Sequence, residues 1–307
     1  MLATLTEERF SDPAWIYERK LDGERCLAFR RGTLVRLMSR NRLRIDNHYP
    51  EVAEALAARL SLDCILDGEI VAFDGNRPSF SRLQRRMQLR DPEAARRTGV
   101  TVYYYVFDLL YVGGLDLTAA SLRHRKATLR RLMTYGGPLR YSAHRNRQGE
   151  EFWRRSCAEG WEGIIAKRGD SPYEHRRSRS WLKFKCVNAQ EFVIGGFTEP
   201  KGSRSGFGAL LVGYYEGERL VYAGKVGTGF DTALLGTLAT MLRRLEYADP
   251  PFAEGVLPRK GVHWVHPELV AQIGFAEWTH DGHLRHPRFL GLRDDKAARE
   301  VVRERPQ

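Results

Sequence analysis

Residues 18–25 place a lysine where it could act as a nucleophile. They read Glu-Arg-Lys-Leu-Asp-Gly-Glu-Arg and join the end of a predicted strand to a glycine turn and a second strand. Such a turn can present Lys20 in a cleft, with Arg25 pointing the same way. A lysine amine can attack an electrophile after losing its proton, whereas arginine stays protonated. The pattern indicates covalent chemistry on Lys20, and the alternative is a charged hairpin.

Lysine is scarce in this chain. The 50 lysines and arginines include only nine lysines, at positions 20, 126, 167, 183, 185, 201, 225, 260 and 296. Because only lysine offers an amine that can be deprotonated, this bias toward arginine makes each lysine a candidate for chemistry, although some will be incidental.

Two further segments carry charged side chains within apolar sequence. Residues 66–71, Leu-Asp-Gly-Glu-Ile-Val, form a predicted buried strand that contains Glu69. A glutamate in such a strand costs free energy unless it is paired or binds a ligand. Residues 162–167, Glu-Gly-Ile-Ile-Ala-Lys, place Glu162 and Lys167 on either side of an apolar stretch. For Glu69, the alternative to ligand binding is a paired structural role.

Two later segments are rich in cations. Residues 181–185 read Trp-Leu-Lys-Phe-Lys, and the alternation of a strand puts Lys183 and Lys185 on one face. Like charges side by side repel, so they indicate an anion between them or a solvated edge. Residues 291–296, Gly-Leu-Arg-Asp-Asp-Lys, are the last such segment.

The elements that must position these residues alternate between strands and helices. Strands rich in β-branched and aromatic residues are predicted at 15–19, 25–29, 34–38, 65–73, 102–110, 160–167 and 181–185. Helices are predicted from Glu51, directly after Pro50, and at 80–89 and 122–133. This pattern is typical of an α+β domain with a mainly antiparallel sheet.

The sequence changes character after Cys186. Short predicted strands are separated by glycine-rich and polar turns, and one helix is predicted at 231–245. Short strands with a single helix over about 100 residues fit a small OB-fold β-barrel. We therefore predict a boundary near residues 186–190, with one domain at 1–187 and an OB-fold domain at 188–307.

Composition favours a globular protein with a polyanionic partner. Hydrophobic residues make up 42% of the chain and charged residues 29%, the net charge is +12 and the pI is about 9.7. Such a basic surplus favours nucleic acid, because cations release counterions from phosphates. No apolar run approaches the roughly 18 residues that span a bilayer, and no secretory signal is visible. The four cysteines lack C-x-x-C spacing, so reduced, buried thiols in a cytosolic protein are expected.

In this order, the motifs resemble those of the covalent nucleotidyltransferases, which include DNA ligases, RNA ligases and mRNA capping enzymes. The matching motifs are K-x-D-G-x-R, S-R-N at 39–41, D-G-E, F-D at 107–108, E-G-I-I-A-K, K-F-K and R-x-D-K. Longer stretches, such as ERKLDGERCLAFR and LRHPRFLGLRDDK, resemble the ligase module of bacterial end-joining DNA ligases. The resemblance covers nearly the whole chain. It implies an adenylation (nucleotidyltransferase) domain before the OB-fold domain.

The resemblance also implies a role for each motif residue. It makes Lys20 the nucleophile that takes AMP from ATP. It assigns nucleotide binding to Glu18 (adenine contact), Phe107 (base stacking), Arg25 and Glu69 (ribose and phosphate), and Lys183, Lys185 and Arg179 (α-phosphate). It assigns the 5′-phosphate of a DNA nick to Arg40, a metal ion to Glu162, and the leaving pyrophosphate to Arg293, Asp295 and Lys296.

These roles agree with elementary electrostatics. A free lysine has a pKa near 10.4, so only about one in a thousand is an amine at neutral pH. We expect Lys183, Lys185, Arg25 and a divalent metal to lower the pKa of Lys20 and to stabilise the charge on the phosphates. Mg²⁺ or Mn²⁺ suits an oxygen-only shell. Asp22 could lie close to this metal, and capping of the turn is the alternative.

The resemblance implies an ATP-dependent DNA ligase of the bacterial cytoplasm, acting on nicked duplex DNA in DNA repair. An RNA ligase or a GTP-using capping enzyme is the alternative. We expect a monomer that binds no membrane. The implied partners are a Ku-like end-binding protein or an end-joining polymerase. Before the first motif there is no room for a DNA-clamping domain, so a compact stand-alone ligase or an excised module is expected.

Overall fold

The computed structural model describes residues 1–87, 89–186, 188–200, 202, 205–258 and 260–305. The chain divides into two compact units, Met1–Cys186 with Arg305–Gln307, and Val187–Glu304. Residue 187, within the predicted boundary, and residue 88, within the predicted helix 80–89, lie outside the described residues.

The first unit combines two β-sheets with five helices among its described residues. The strands are β1 (Leu2–Leu5), β2 (Trp15–Arg19), β3 (Glu24–Arg31), β4 (Leu34–Ser39), β5 (Cys64–Asp74), β6 (Arg77–Pro78), β7 (Val102–Val112), β8 (Leu115–Asp116), β9 (Leu139–Tyr141), β10 (His144–Asn146), β11 (Gly163–Arg168) and β12 (Arg177–Lys185). The helices are α1 (Pro50–Arg59), α2 (Phe80–Met87), α3 (Pro92–Arg97), α4 (Leu122–Leu132) and α5 (Gly149–Ala158).

The two sheets are mainly antiparallel, as predicted. One has the strand order β1-β12-β11-β2-β10, and the other has the order β4-β3-β5-β7-β8, with β6 beside β5 and β9 beside β7. Only the β1–β12 and β7–β9 pairings are parallel among the described strands. The second sheet packs against α1 and α2 through one apolar core that contains Val52, Leu56, Leu66, Leu83 and Val106.

The second unit is the predicted OB-type barrel with one long helix. Its elements are β13 (Asn188–Thr198), β14 (Leu210–Glu216), β15 (Arg219–Val226), α6 (Thr232–Arg244), β16 (Glu246–Tyr247), β17 (Val262–Val265), β18 (Val270–Phe275), β19 (Glu277–Trp278), β20 (Leu284–Arg285), β21 (Arg288–Leu292) and a 3-10 helix at Ala298–Glu300. The long strand β13 pairs with β14, β17 and β18, so the sheet curls around a separate apolar core.

The expectation of four reduced thiols is wrong for two of them. Cys157 and Cys186 form a disulfide, because the end of α5 lies beside the end of β12 with a Cα–Cα distance of 5.3 Å. Cys26 and Cys64 are free and buried, as expected. The two joined cysteines are 29 residues apart, so sequence spacing gave no signal for the pair.

Arg86 on α2 shows how the first unit satisfies a buried cation. Its side chain is 2% exposed and donates to the backbone oxygens of His48 and Val100 and to the Glu51 carboxylate. We predict that Arg86→Met, which leaves these acceptors without their donor, lowers the free energy of unfolding by about 3 kcal/mol. Urea denaturation measures this loss. Arg85→Met, at the exposed neighbouring position on α2, is the control and should change little; equal losses would contradict the prediction.

Candidate active site

Lys20 lies where the chain crosses from one sheet to the other. β2 belongs to the first sheet and β3 to the second, so the charged-hairpin alternative is wrong. The backbone N–H of Lys20 donates to the Gly163 oxygen at 2.9 Å. The crossing requires Gly23, because a Cβ there would be 2.1 Å from the Ile70 oxygen. The glycine turn therefore holds Lys20 between the two sheets.

The first sheet places both lysines of β12 on the face that carries Glu18. In the strand register, Gly163 pairs with Lys185 and Ile165 pairs with Lys183. On its other side, Ile165 pairs with Glu18. Side chains of residues directly opposite each other lie on the same face of a sheet. The two half-buried lysines and Glu18 therefore share one face, as the alternation in 181–185 predicted.

Carboxylates surround the Lys20 amine. Lys20 forms an ion pair with Glu162, and the two side chains are 18% and 12% exposed. Asp22 and Glu69 also act on the amine electrostatically. Glu162 stands just before β11, and Glu69 lies on β5 in the other sheet. Residues from both sheets therefore converge on the nucleophile predicted from the sequence.

The expectation that the pKa of Lys20 is lowered is wrong when only the groups of the protein act on the amine. Burial lowers this pKa, but the charges of Glu162, Asp22 and Glu69 outweigh burial, and the pKa is raised above its ordinary value. The sequence indicates the cations near Lys20. It does not show how many carboxylates the fold brings to the amine. In this arrangement the Lys20 side chain is an ammonium group at neutral pH.

Arg25 is paired with a carboxylate that the sequence argument did not single out. Its guanidinium donates two hydrogen bonds of 2.5 Å to Asp67 and one of 3.2 Å to the Met1 oxygen. Tyr173 donates its hydroxyl to the same carboxylate at 2.8 Å. The guanidinium carbon lies 4.7 Å from the ring centroid of Phe107, which is 8% exposed. Arg25 and Phe107 are therefore neighbours, and Asp67 orients the arginine.

Glu18 is also held by residues to which the sequence argument gave no role. Its carboxylate accepts hydrogen bonds from Lys126, Lys167 and Ser142. Ser142 also lines a cleft of about 480 Å³ that includes Leu21 beside Lys20. The scarcity of lysine was the one sequence signal that could have identified this cluster.

The remaining predicted residues are exposed in the first unit and ion-paired in the second. Arg40 is exposed in the turn after β4, and Arg179 is exposed on β12. In the second unit, Arg293 donates two hydrogen bonds of 2.8 Å to Asp295, and Lys296 donates to Glu191 at 3.1 Å. Burial raises the pKa of Glu191, but Lys296 and Arg293 outweigh it and lower the pKa to about 2.

The donor set beside Lys20 fits a divalent metal that takes most of its ligands from substrate. No group of three or more His, Cys, Asp or Glu side chains suited to a metal occurs within the described part of the chain. Magnesium is usually bound by one or two carboxylates together with phosphate and water oxygens. Glu162 can supply one such carboxylate, with Asp22 and Glu69 close to the same amine.

Family models match both halves of the chain. Residues 1–185 match the ATP dependent DNA ligase domain, and residues 203–296 match the ATP dependent DNA ligase C terminal region. Among curated relatives, the multifunctional non-homologous end joining protein LigD of Pseudomonas aeruginosa is 40% identical over 95% of this chain, and that of Mycolicibacterium smegmatis is 38% identical over 99%. The chain spans 35% and 39% of the length of these two relatives.

A solved structure agrees with the sequence matches. Mycobacterial DNA ligase D complexed with ATP and MES is 36% identical to this chain, with a TM-score of 0.67, and the match covers 99% of this chain and 98% of the other. The chain therefore belongs to the ATP-dependent DNA ligase family. Its fold is the nucleotidyltransferase domain followed by the OB-fold domain of that family. Within the described residues, none of the helices has the length and apolar character needed to cross a membrane.

The contact between Lys20 and Glu162 generates a prediction about the amine. We expect Glu162→Gln to lower the pKa of Lys20, because it removes the carboxylate that contacts the ammonium group. Reductive ¹³C-methylation of the lysines, followed by NMR titration without nucleotide, measures this pKa. The Lys20 resonance is identified as the one missing from Lys20→Arg.

Glu159→Gln is the matched control for this measurement. Glu159 stands three residues before Glu162 and pairs with Arg19 and Arg155. Its substitution should leave the titration of Lys20 almost unchanged. A Lys20 pKa that is the same in Glu162→Gln as in the wild type would show that the ion pair does not control the amine.

Proposed function

We propose that this protein seals nicks in duplex DNA and uses Lys20 as the carrier of AMP. The observation that supports this most is the position of Lys20 between two sheets, in contact with Glu162 and near the face that carries Lys183 and Lys185. An amine among carboxylates and lysines suits attack on a metal-bound triphosphate. Arginine in place of lysine could not perform this chemistry.

In the first step, the Nζ atom of Lys20 attacks the α-phosphorus of ATP. A nitrogen–phosphorus bond forms, the bond between the α-phosphorus and its bridging oxygen breaks, and pyrophosphate leaves with the electron pair. The proton of the amine passes to solvent. The raised pKa of Lys20 means that this proton must be removed before attack. A divalent cation bound at Glu162 would offset the carboxylate charge, favour the neutral amine and neutralise the phosphates.

Side chains from both sheets would bind the rest of the nucleotide. Lys183 and Lys185 contact the α-phosphate in this proposal, with Arg179 nearby on the same strand. Glu69 and Arg25 serve the ribose and phosphates, and Arg25 is already oriented by its bidentate pair with Asp67. The base would contact Glu18 and the ring of Phe107.

In the second and third steps, AMP passes from Lys20 to DNA. An oxygen of the 5′-phosphate at the nick attacks the phosphorus of the AMP, and the bond to Lys20 breaks. The 3′-hydroxyl then attacks the activated 5′-phosphate, a phosphodiester forms and AMP leaves. Arg40, exposed at the turn after β4, is assigned to the 5′-phosphate. The net charge of +12 favours binding of the DNA backbone.

The biological setting is proposed from the relatives. LigD proteins are named for non-homologous end joining, so we propose a role in DNA repair in the bacterial cytoplasm, close to the nucleoid. A Ku-like end-binding protein or an end-joining polymerase would then be the partner. We propose that the protein acts as a monomer.

The nucleophile assignment predicts the behaviour of two variants. Lys20→Arg and Lys20→Ala should both lose covalent labelling by ATP completely, because neither offers an amine that can be deprotonated. Incubation with labelled ATP, GTP or NAD, followed by a denaturing gel, measures labelling, and a nicked duplex measures sealing. Both variants should still fold, which urea denaturation checks, with Lys20→Ala less stable than Lys20→Arg because Glu162 loses its cationic partner. Normal adenylation of Lys20→Arg would show that Lys20 is not the nucleophile.

A second prediction concerns the barrel domain. We propose that this domain closes over the triphosphate during the first step and swings away before DNA binds, with the hinge near residues 186–190. Lys296→Ala should then slow self-adenylation by about 100-fold, because a cation that stabilises the leaving pyrophosphate is lost. Protein already carrying AMP should seal a nick at near wild-type rate, since pyrophosphate has left by then.

Single-turnover assays separate the two steps in this variant. Lys225→Ala is the matched control, because Lys225 is an exposed lysine of the same unit, on β15. It should self-adenylate normally. A Lys296→Ala protein that self-adenylates normally but fails to seal from the preloaded state would place Lys296 on the DNA.

A further inference from the structure

Among the lysines that the structure describes, two are fully buried, and the reaction described above uses neither. The side chain of Lys126 is 1% exposed and that of Lys167 is 2% exposed. Lysine is almost never buried in this way unless its charge is paired. Both ammonium groups contact the same carboxylate, that of Glu18.

The hydrogen bonds of this cluster occupy most of the acceptor positions of the Glu18 carboxylate. Lys126 donates to Oε1 at 2.5 Å and also to the Ser142 backbone oxygen at 2.9 Å. Lys167 donates to Oε2 at 2.9 Å, and the Ser142 hydroxyl donates to the same oxygen at 2.9 Å. A carboxylate offers about four acceptor positions. Donors within the described part of the chain use three, which leaves one acceptor position, on Oε1.

Three separate segments of the first unit build the cluster. Lys126 is 108 residues from Glu18 in sequence and comes from α4, which packs on β7. Lys167 comes from β11 beside β2, 149 residues from Glu18. Its ammonium group also lies 4.2 Å from the ring centroid of Phe107 and 4.1 Å from that of Trp181. The fold therefore brings both lysines to Glu18 from segments that are distant from it in sequence.

The cluster contains more positive charge than neutralisation requires. One lysine would balance the charge of Glu18, and the second is a further buried cation, supported by the rings of Phe107 and Trp181 and by the charge of Asp108. Burial raises the pKa of Glu18, but Lys126 and Lys167 lower it to about 2, while burial lowers the pKa of Lys167. Buried ion pairs add little stability compared with apolar side chains of the same size. The surplus therefore points to a requirement for a charged Glu18 beyond stability of the fold.

A charged carboxylate can only accept hydrogen bonds, whereas a protonated one also donates. We propose that Lys126 and Lys167 are positioning residues that keep Glu18 as a fixed acceptor, so that the pocket selects a purine with an amino group at C6. An oxygen at C6 is itself an acceptor and would face a negative charge in a site with little water. The inference rests on the proposed contact between Glu18 and the base. The lysines select the base through Glu18 and touch neither substrate nor reacting atoms.

The test compares self-adenylation by ATP and by inosine triphosphate, which carries oxygen at C6. The wild type should prefer ATP. Lys126→Met/Lys167→Met should reduce the ratio of kcat/KM for the two nucleotides about 10- to 100-fold, the effect of one hydrogen bond to a charged group. The loss should come mainly from KM for ATP, because the lysines do not contact the α-phosphate. Each single variant should show part of the loss, and Lys126→Arg should restore the preference.

A second comparison separates an action through Glu18 from a purely structural role. Glu18→Gln is nearly isosteric, and its amide can donate as well as accept, so this variant should also lose the preference for ATP. Lys126→Met added to Glu18→Gln should then change the ratio no further. This double variant keeps the same net charge in the cluster as the wild type. It therefore replaces Lys126→Met in the comparison if Lys126→Met alone does not fold. Arg86→Met, which removes a buried cation that pairs with Glu51 and has no part in the Glu18 cluster, should leave the ratio unchanged.

The outcomes distinguish this inference from the proposed function. An unchanged ratio in Lys126→Met/Lys167→Met, with Glu18→Gln altered, would show that the lysines only support the fold and would overturn the inference. The same reduction in Arg86→Met would overturn it too, because general destabilisation would then explain the effect. If the wild type carried no AMP on Lys20 with either nucleotide, the proposed function would fail, and the inference with it.

Discussion

The ion pair between Lys20 and Glu162 is the contact on which the rest of the site depends. It joins the segment after β2, where the chain crosses between the sheets, to the residue just before β11. The backbone hydrogen bond from Lys20 to Gly163 holds the same two segments together. In the proposed reaction, the carboxylate that holds the amine in place also keeps it protonated. Attack on ATP would require that this charge be offset when the substrate binds.

Each of the two sheets of the first unit contributes a different set of side chains around this contact. One sheet carries Lys183 and Lys185 together with Glu18, on a single face. The other carries Glu69, the Arg25–Asp67 pair and Phe107. Because β2 and β3 lie in different sheets, the short turn between them can carry a nucleophile that groups from both sheets reach. A hairpin would have left Lys20 at the edge of one sheet.

Local patterns predicted those parts of the site that local geometry controls. The alternation in 181–185 placed Lys183 and Lys185 correctly on one face, and the apolar strands and most helices follow their predicted ranges closely. Contacts between distant segments gave no such signal. Asp67 reaches Arg25 across 42 residues, Lys126 reaches Glu18 across 108, and the Cys157–Cys186 disulfide depends on where α5 docks. For the protein groups alone, the expected direction of the Lys20 pKa was wrong partly for the same reason, since Glu162 and Glu69 come from segments distant from Lys20.

We propose above all that one amine, that of Lys20, carries AMP between ATP and DNA. Peptide mapping by mass spectrometry, after incubation with ATP and magnesium, tests this claim directly because the chain has only nine lysines. AMP is expected on the peptide that contains Lys20 and on no other, and it should be lost when nicked duplex DNA is added. AMP on a different lysine, or AMP on Lys20 that persists while DNA is sealed, would rule out Lys20 as the carrier.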